Sequence, residues 1–237
     1  DETMSLGVLG ATGRGLPEHF GLDRATSIDV TVGSMATAFG SSGGFVLGDK
    51  FMSDYQHIGS NAYCFSASLP GYTTTVVSKC IEIMDGNNSE VQQLQKLARA
   101  MFYFFSSRVK LNDYFTITSS EFSPVLHLEL KEGVRAKLFG YTSDTLFAEL
   151  TSLQKRKISD VCIDPYENEE IFLQQLVDDV LLSHNILISR HTIVLKQETL
   201  PIVPSLRISC TSGMTEDELL TACENIATTM LQRLENA

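Results

Sequence analysis

Long apolar runs are missing from this chain. None approaches the ~18 residues that a membrane-spanning helix needs, and no secretory leader is visible. Basic residues are scarce: 18 Lys and Arg stand against 29 Asp and Glu, a formal net charge of −11. Binding a phosphate backbone needs clustered cations, so nucleic acid is not an expected partner. The acidity alone accounts for solubility and names no partner. The five cysteines, Cys64, Cys80, Cys162, Cys210 and Cys223, lie in no CxxC or other zinc spacing. An odd number at scattered, mostly apolar positions fits reduced thiols packed as small buried hydrophobes. His19, His57, His127, His184 and His191 form no HExxH or similar pattern, so no metal ligands are expected. His127, inside the strand-like VLHLEL, reads as a structural hydrogen-bonder. No GxSxG elbow and no Walker-type loop occur.

Apolar residues make up 43% of the chain and charged residues 20%, the balance of a folded protein. Its 237 residues suffice for one large domain or two small ones. The chain opens without Met in what reads as a strand-end motif. It is expected to be a fragment or a processed chain, so any upstream membrane segment stays open.

Gly7, Gly10, Gly13 and Gly15 punctuate an early loop, followed by a short helix over Leu16 to Phe20. Ser27 to Val32 is rich in β-branched residues and reads as a buried strand, with Gly43 to Gly48 as its hairpin or neighbour. Pro70 suits the first turn of a helix that continues over Tyr72 to Met84. Asp85-Gly86-Asn87-Asn88 is a break. Beyond it Val91, Leu94, Leu97, Met101 and Phe105 recur at helical spacing. Phe115 to Thr118 and Val125 to Leu130 read as strands. Lys131 to Pro165 is charged and weakly patterned, with a helix beginning near Ser143 and much of the rest expected as a surface insertion. A helix is expected over Tyr166 to His184, acidic in its first turns as the helix dipole favours. Strands are expected over Ile186 to Ser189, Ile193 to Leu195 and Leu206 to Cys210. Thr215 and Glu218 form a capping box that starts a last helix bearing Leu219, Cys223, Ile226, Met230 and Leu234.

Four stretches in order carry a resemblance: DETMSLGVLGATGRGLPEHFG, SMATAFGSSGGFVLGD, YCFSASLP and PSLRIS, the last within TIVLKQETLPIVPSLRIS. Together they resemble the α-oxoamine synthase family, fold-type-I enzymes that use pyridoxal phosphate to condense an amino acid with an acyl-CoA and release carbon dioxide. The resemblance implies an α/β chain of the aspartate-aminotransferase-like, pyridoxal-phosphate-dependent transferase fold. Residues 1–87 would be the C-terminal part of the large domain and residues 88–237 a small α+β domain.

Residues Asp29 to Gly48 resemble the family pattern D-[IV]-x-x-G-[ST]-x-x-K-[AS]-x-G, whose lysine forms the Schiff base. Thr37 stands at that lysine's position, and a threonine cannot form an imine. Met4 stands where the family has a ring-stacking histidine, and it has no N–H donor. Asp1 matches the carboxylate that pairs with the pyridinium nitrogen; it is read as vestigial, or as an aspartate capping the next loop. Arg207 matches the arginine that fixes the substrate carboxylate. Without substrate it would pair with a buried carboxylate. Lys50 and Lys79 are the nearest lysines in sequence, and neither is expected to replace the missing amine.

Ser66 and Ser68, in Phe65-Ser66-Ala67-Ser68, resemble a segment that crosses to the neighbouring subunit and approaches its cofactor phosphate. The alternative is a tight turn before Pro70 whose serines cap the next helix.

The resemblance thus implies a non-catalytic subunit of a heterodimeric acyltransferase that joins L-serine to palmitoyl-CoA, giving 3-ketosphinganine for sphingolipid synthesis. A lysine-bearing partner would hold the pyridoxal phosphate. A small activating subunit and membrane regulators are further expected partners. The expected location is the cytosolic face of the endoplasmic reticulum membrane, reached through an upstream segment. An independently active pyridoxal-phosphate-dependent acyltransferase or aminotransferase, and a stand-alone interaction module, remain open alternatives.

Overall fold

The computed structural model describes residues 1–156, 162–197 and 202–235. The elements are α1 (Leu16–His19), α2 (Arg24–Ser27), β1 (Thr31–Ser34), β2 (Gly44–Leu47), α3 (Lys50–Gly59), α4 (Asn61–Phe65), α5 (Gly71–Gly86) and α6 (Ser89–Ser106), followed by α7 (Val109–Asn112), β3 (Phe115–Ile117), β4 (Val125–Leu130), α8 (Glu132–Phe139), α9 (Ser143–Lys155), α10 (Asp164–His184), β5 (Ser189–Arg190), β6 (Ser205–Ser209) and α11 (Glu216–Glu235). By packing the chain divides inside α6 into two units, Asp1–Lys96 and Leu97–Ala237. Asn87, the expected boundary, caps the C-terminus of α5.

In the first unit β1 and β2 form an antiparallel ribbon. The expected strand over Ser27 to Val32 starts later than its β-branched residues suggest. Asp23 accepts a hydrogen bond from the Ala25 N–H and turns Arg24–Ser27 into a helical turn, leaving the strand to Thr31–Ser34. The strand is also only half buried, with Val30 and Val32 facing out. Met35, Phe39 and Val77 form a small core, with Leu6, Phe45, Cys80 and Met84 packed on it. α5 starts directly after Pro70, and the Asp85-to-Asn88 break falls where α5 ends and α6 begins.

The second unit is built on an antiparallel sheet of order β3-β4-β6-β5. The period of two along β4 buries Leu126, Leu128 and Leu130 and leaves Val125, His127 and Glu129 half exposed. The register pairs Leu128 with Leu206 and Leu126 with Ile208, so one face of the sheet is continuously apolar. Each such buried Leu or Ile contributes ~1.5–3 kcal/mol. α10 and α11 pack against each other through buried stripes that include Leu173, Leu176 and Val180 on one and Leu219, Cys223, Ile226 and Met230 on the other. Thr215 and Glu218 make the expected reciprocal cap, with the Thr215 N–H donating to Glu218 at 2.9 Å.

Three expectations change here. Lys131 to Pro165 is no surface insertion in its described part: Glu132–Phe139 is helical, and Tyr141, Leu146, Leu150 and Ile163 are buried in a shared core. Residues 157–161 of that stretch, and 198–201 of the TIVLKQETLPIVPSLRIS run, lie outside the described residues. Of the strand over Ile186 to Ser189 only Ser189 pairs, together with Arg190, and Ile193 to Leu195 leads into a 3-10 turn over Leu195–Gln197. Cys210 and Cys223 are buried, their thiols pushed up to about 11 and about 12 by burial, but Cys64, on α4, which buries no residue, and Cys162, just before α10, are exposed.

Candidate functional site

Glu2, unremarked in the sequence, organises the first loop. It is buried, its N–H donates to the Val32 carbonyl at 2.7 Å, and its carboxylate accepts from the Leu16 N–H and the Ser5 hydroxyl. Gly15 has φ 89°, and a Cβ there would fall 2.3 Å from the Glu2 carboxylate. Gly10, at φ 88°, meets Glu18 in the same way. Burial opposes ionisation of Glu18, but the N–H groups of Arg14 and Thr12 and the Thr12 hydroxyl outweigh it and hold its pKa below the ordinary carboxylate value.

That loop is tied directly to Thr37. Met35 and Phe39 anchor the segment after β1 in the core, leaving Thr37 exposed between them. The Thr37 Oγ1 donates to the Thr3 carbonyl at 2.8 Å, and the Thr3 N–H donates to Asp1 Oδ1 at 2.8 Å. The chain therefore joins Asp1, Thr3 and Thr37 in one hydrogen-bonded string, with Met4 beside it at 54% exposure. The string offers a carboxylate and a hydroxyl but no amine, so it does not suit a cofactor held through an imine. Lys50 pairs with Asp54 and Lys79 with Glu82 on exposed helix faces.

Ser66 and Ser68 sit elsewhere in the same unit. They line a pocket of about 600 Å³ with Ala67, Leu69, His57 and Tyr63; Asp1, Met4 and Thr37 are not among its lining residues. Asp49 caps α3 through the Met52 N–H, and Ser60 caps α4 through the Tyr63 N–H. Neither Ser66 nor Ser68 makes a side-chain cap on α5, which starts from Pro70 without one. The His57 and Tyr63 rings stack at 4.7 Å and 22°. No sequence signal marked this pair, because the six-residue separation spans two helices.

Arg207 lies in β6 of the second unit, opposite His127 and Ser189. Among the described residues it makes no ion pair, contrary to the expected pairing with a buried carboxylate. The half-buried outer face of the sheet brings it beside His127, whose Nδ1 lies 3.0 Å from the Ser205 hydroxyl and whose ring meets His191 edge-on at 5.6 Å. Burial first, then His191 and Arg207, depress the His127 pKa. The buried carboxylate pairs elsewhere: Glu169 accepts from Arg135 Nε at 2.8 Å and from the Tyr141 hydroxyl at 2.5 Å. Among the described residues no cluster of His, Cys, Asp or Glu is placed to hold a metal ion. No described helix is long and apolar enough to cross a membrane.

A family model for aminotransferase class I and II matches residues 1–226. The chain belongs to this family. Among aminotransferase class I and II relatives, it is 58% identical over 231 residues to serine palmitoyltransferase 1 of Saccharomyces cerevisiae (strain ATCC 204508 / S288c), covering 98% of this chain and 41% of that protein. It is 30% identical to serine palmitoyltransferase 1 of Dictyostelium discoideum, covering 95% of this chain and 41% of that one. The chain thus spans about two fifths of these relatives. The crystal structure of 8-amino-7-oxononanoate synthase from Francisella tularensis superposes with a TM-score of 0.63 at 20% identity, over 97% of this chain and 53% of that one. The fold is the α/β pyridoxal-phosphate-dependent transferase fold expected from the four sequence segments.

Proposed function

We propose that this chain belongs to a non-catalytic subunit of serine palmitoyltransferase, acting beside a lysine-bearing partner that binds the pyridoxal phosphate. The complex joins L-serine to palmitoyl-CoA to give 3-ketosphinganine. The observation that carries the reading is the Thr37 hydroxyl, donated to the Thr3 carbonyl where the family pattern has its lysine. Identity to the yeast serine palmitoyltransferase 1 supports the assignment to such a subunit. Bound to the partner, the cofactor supplies the electron sink for carbon–carbon bond formation. This chain contributes surface: it stabilises the partner and walls the shared cleft, with Ser66 and Ser68 reaching toward the partner's cofactor phosphate. Asp1 and Arg207 are vestiges of an ancestral site. The complex works at the cytosolic face of the endoplasmic reticulum membrane, held by a membrane segment upstream of Asp1, with a small activating subunit and membrane regulators as further partners.

The test is direct. The full-length protein is purified alone, mixed with pyridoxal phosphate and treated with borohydride. No visible chromophore and no modified peptide are expected, whereas the complex yields a modified peptide from the partner only. A cofactor trapped on this chain makes it an independent enzyme and ends the proposal. If no lysine-bearing homologue co-purifies in near-equal amount, the chain is an interaction module of another kind.

A further inference from the structure

Buried side-chain atoms that lack a hydrogen-bond partner among the described residues are not scattered through the second unit. They belong to Tyr166, Glu169 and Glu170, in the first two turns of α10, and to Arg135 and Arg190, which pair with the two glutamates. Glu170 and Arg190 lie 2.8 Å apart and meet each other's charge. That leaves Arg135 Nη2, Glu169 Oε1 and the Tyr166 hydroxyl, on residues that are 2%, 0% and 1% exposed.

The geometry of the Arg135–Glu169 pair explains why one atom of each is left over. The Nε and Nη2 edge of a guanidinium matches the two oxygens of a carboxylate and commonly closes on them as a fork. Here Arg135 Nε donates to Glu169 Oε2 at 2.8 Å, and the Tyr141 hydroxyl donates to the same oxygen at 2.5 Å. Two donors converge on Oε2 and none reaches Oε1, so the fork is closed on one limb only. Tyr166 precedes Glu169 by three residues on the same helix face, and its ring lies 6.4 Å from that of Tyr141. Burial first, then Glu170 and Glu169, push the Tyr166 phenol up, so it keeps its proton as a donor.

A group that fits the open limb is small, uncharged, and both donor and acceptor. Arg135 and Glu169 cancel in charge, so an ion of either sign would add an uncompensated buried charge. Glu132, the other carboxylate on Arg135, is half exposed and already accepts from the Ser143 N–H. Among the described residues no cluster is placed to hold a metal ion. Water meets the requirement, since a buried water typically takes about three polar partners.

We propose that an ordered water molecule is bound between α8 and α10, accepting from Arg135 Nη2, donating to Glu169 Oε1 and sharing a hydrogen bond with the Tyr166 hydroxyl. It completes the fork and makes the contact between these helices partly hydrated. The proposal is independent of which partner the chain meets.

The test is a structure of the whole complex at a resolution that shows ordered water, for the parent protein and for Arg135→Met combined with Glu169→Leu. Density within hydrogen-bond distance of all three atoms in the parent, lost in the double variant, supports the site. Direct closure of Arg135 on both Glu169 oxygens overturns it. So does density that touches the pair but not Tyr166, or density that persists in the double variant. Where the double variant does not fold, Tyr166→Phe takes its place. The water density should then weaken relative to other buried waters, and unchanged density overturns the three-partner site.

Discussion

At Thr37 the hydroxyl is already engaged by the loop beside it. It donates to the Thr3 carbonyl, while Asp1 accepts from the Thr3 N–H. Thr37→Lys would break this string and introduce an amine, but Met4 still offers no donor to a bound ring. No chromophore on this chain is therefore expected for Thr37→Lys, checked by borohydride reduction and peptide mapping of the purified complex. Thr37→Val removes only the exposed hydrogen bond and should cost about 0.5–1 kcal/mol in denaturant unfolding of the full-length protein. His127 gives a second residue-level prediction. Its folded pKa lies below the ordinary value of 6.5, so the unfolded chain takes up the proton first. Its contribution to stability is complete above 6.5 and is lost as pH falls through the depressed value. His127→Gln should flatten the decline in melting temperature on the acid side of neutrality. A slope identical to that of the parent protein would contradict this.

Helices α8, α9 and α10 meet at one buried charge pair. Arg135 and Glu169 are almost wholly buried, Tyr141 shares the carboxylate, and Glu132 accepts from the Ser143 N–H at the start of α9. Burial pushes the Glu169 carboxyl up, and Arg135 opposes that shift. Among the described residues Glu169 Oε1, Arg135 Nη2 and the Tyr166 hydroxyl have no hydrogen-bond partner, so the pair is incompletely compensated there. Arg135→Met, which strands the carboxylate, should destabilise the protein by about 3–5 kcal/mol. Adding Glu169→Leu should recover more than half of that loss in equilibrium unfolding. A double variant no more stable than the single one would mean that the pair itself supplies the stability.

This locus also marks where sequence reading stopped. Helices with a 3.6-residue apolar period, such as α6 and α11, were legible, and so were the alternating strand β4 and the cap at Thr215. Helix α8 was not: EGVRAKLF has no apolar period, and its buried face is an arginine whose partner lies 34 residues further on. The site divides in the same way. Thr37, Met4, Asp1, Ser66 and Ser68 came from motif resemblance. Glu2, His57 and Tyr63 did not, because their roles arise from packing between elements and no local pattern encodes it.

On the scale of the whole molecule, the two units differ in how they treat water. In the first, Phe51, Tyr55, Ile58, Phe65 and Tyr72 all lie on exposed faces of α3 to α5, with Ile58 and Phe65 each at 87%. So much exposed aromatic and aliphatic surface in one region is characteristic of a face that another polypeptide surface covers. In the second unit, large exposed side chains are more dispersed: Leu182 at 84% caps the end of α10, and Leu187 at 80% follows it in a loop. If the first unit meets the catalytic partner, a charge placed on its apolar face must be desolvated on assembly, whereas the same change in the second unit stays in water. Ile58→Asp and Phe65→Asp should therefore lower recovery of the lysine-bearing partner in co-purification by at least about tenfold, an effect of ~1.4 kcal/mol or more. Leu182→Asp and Leu187→Asp should leave the stoichiometry unchanged. The opposite pattern, with partner loss only from the second unit, would move the interface away from the Ser66 pocket and remove its proposed role in the complex.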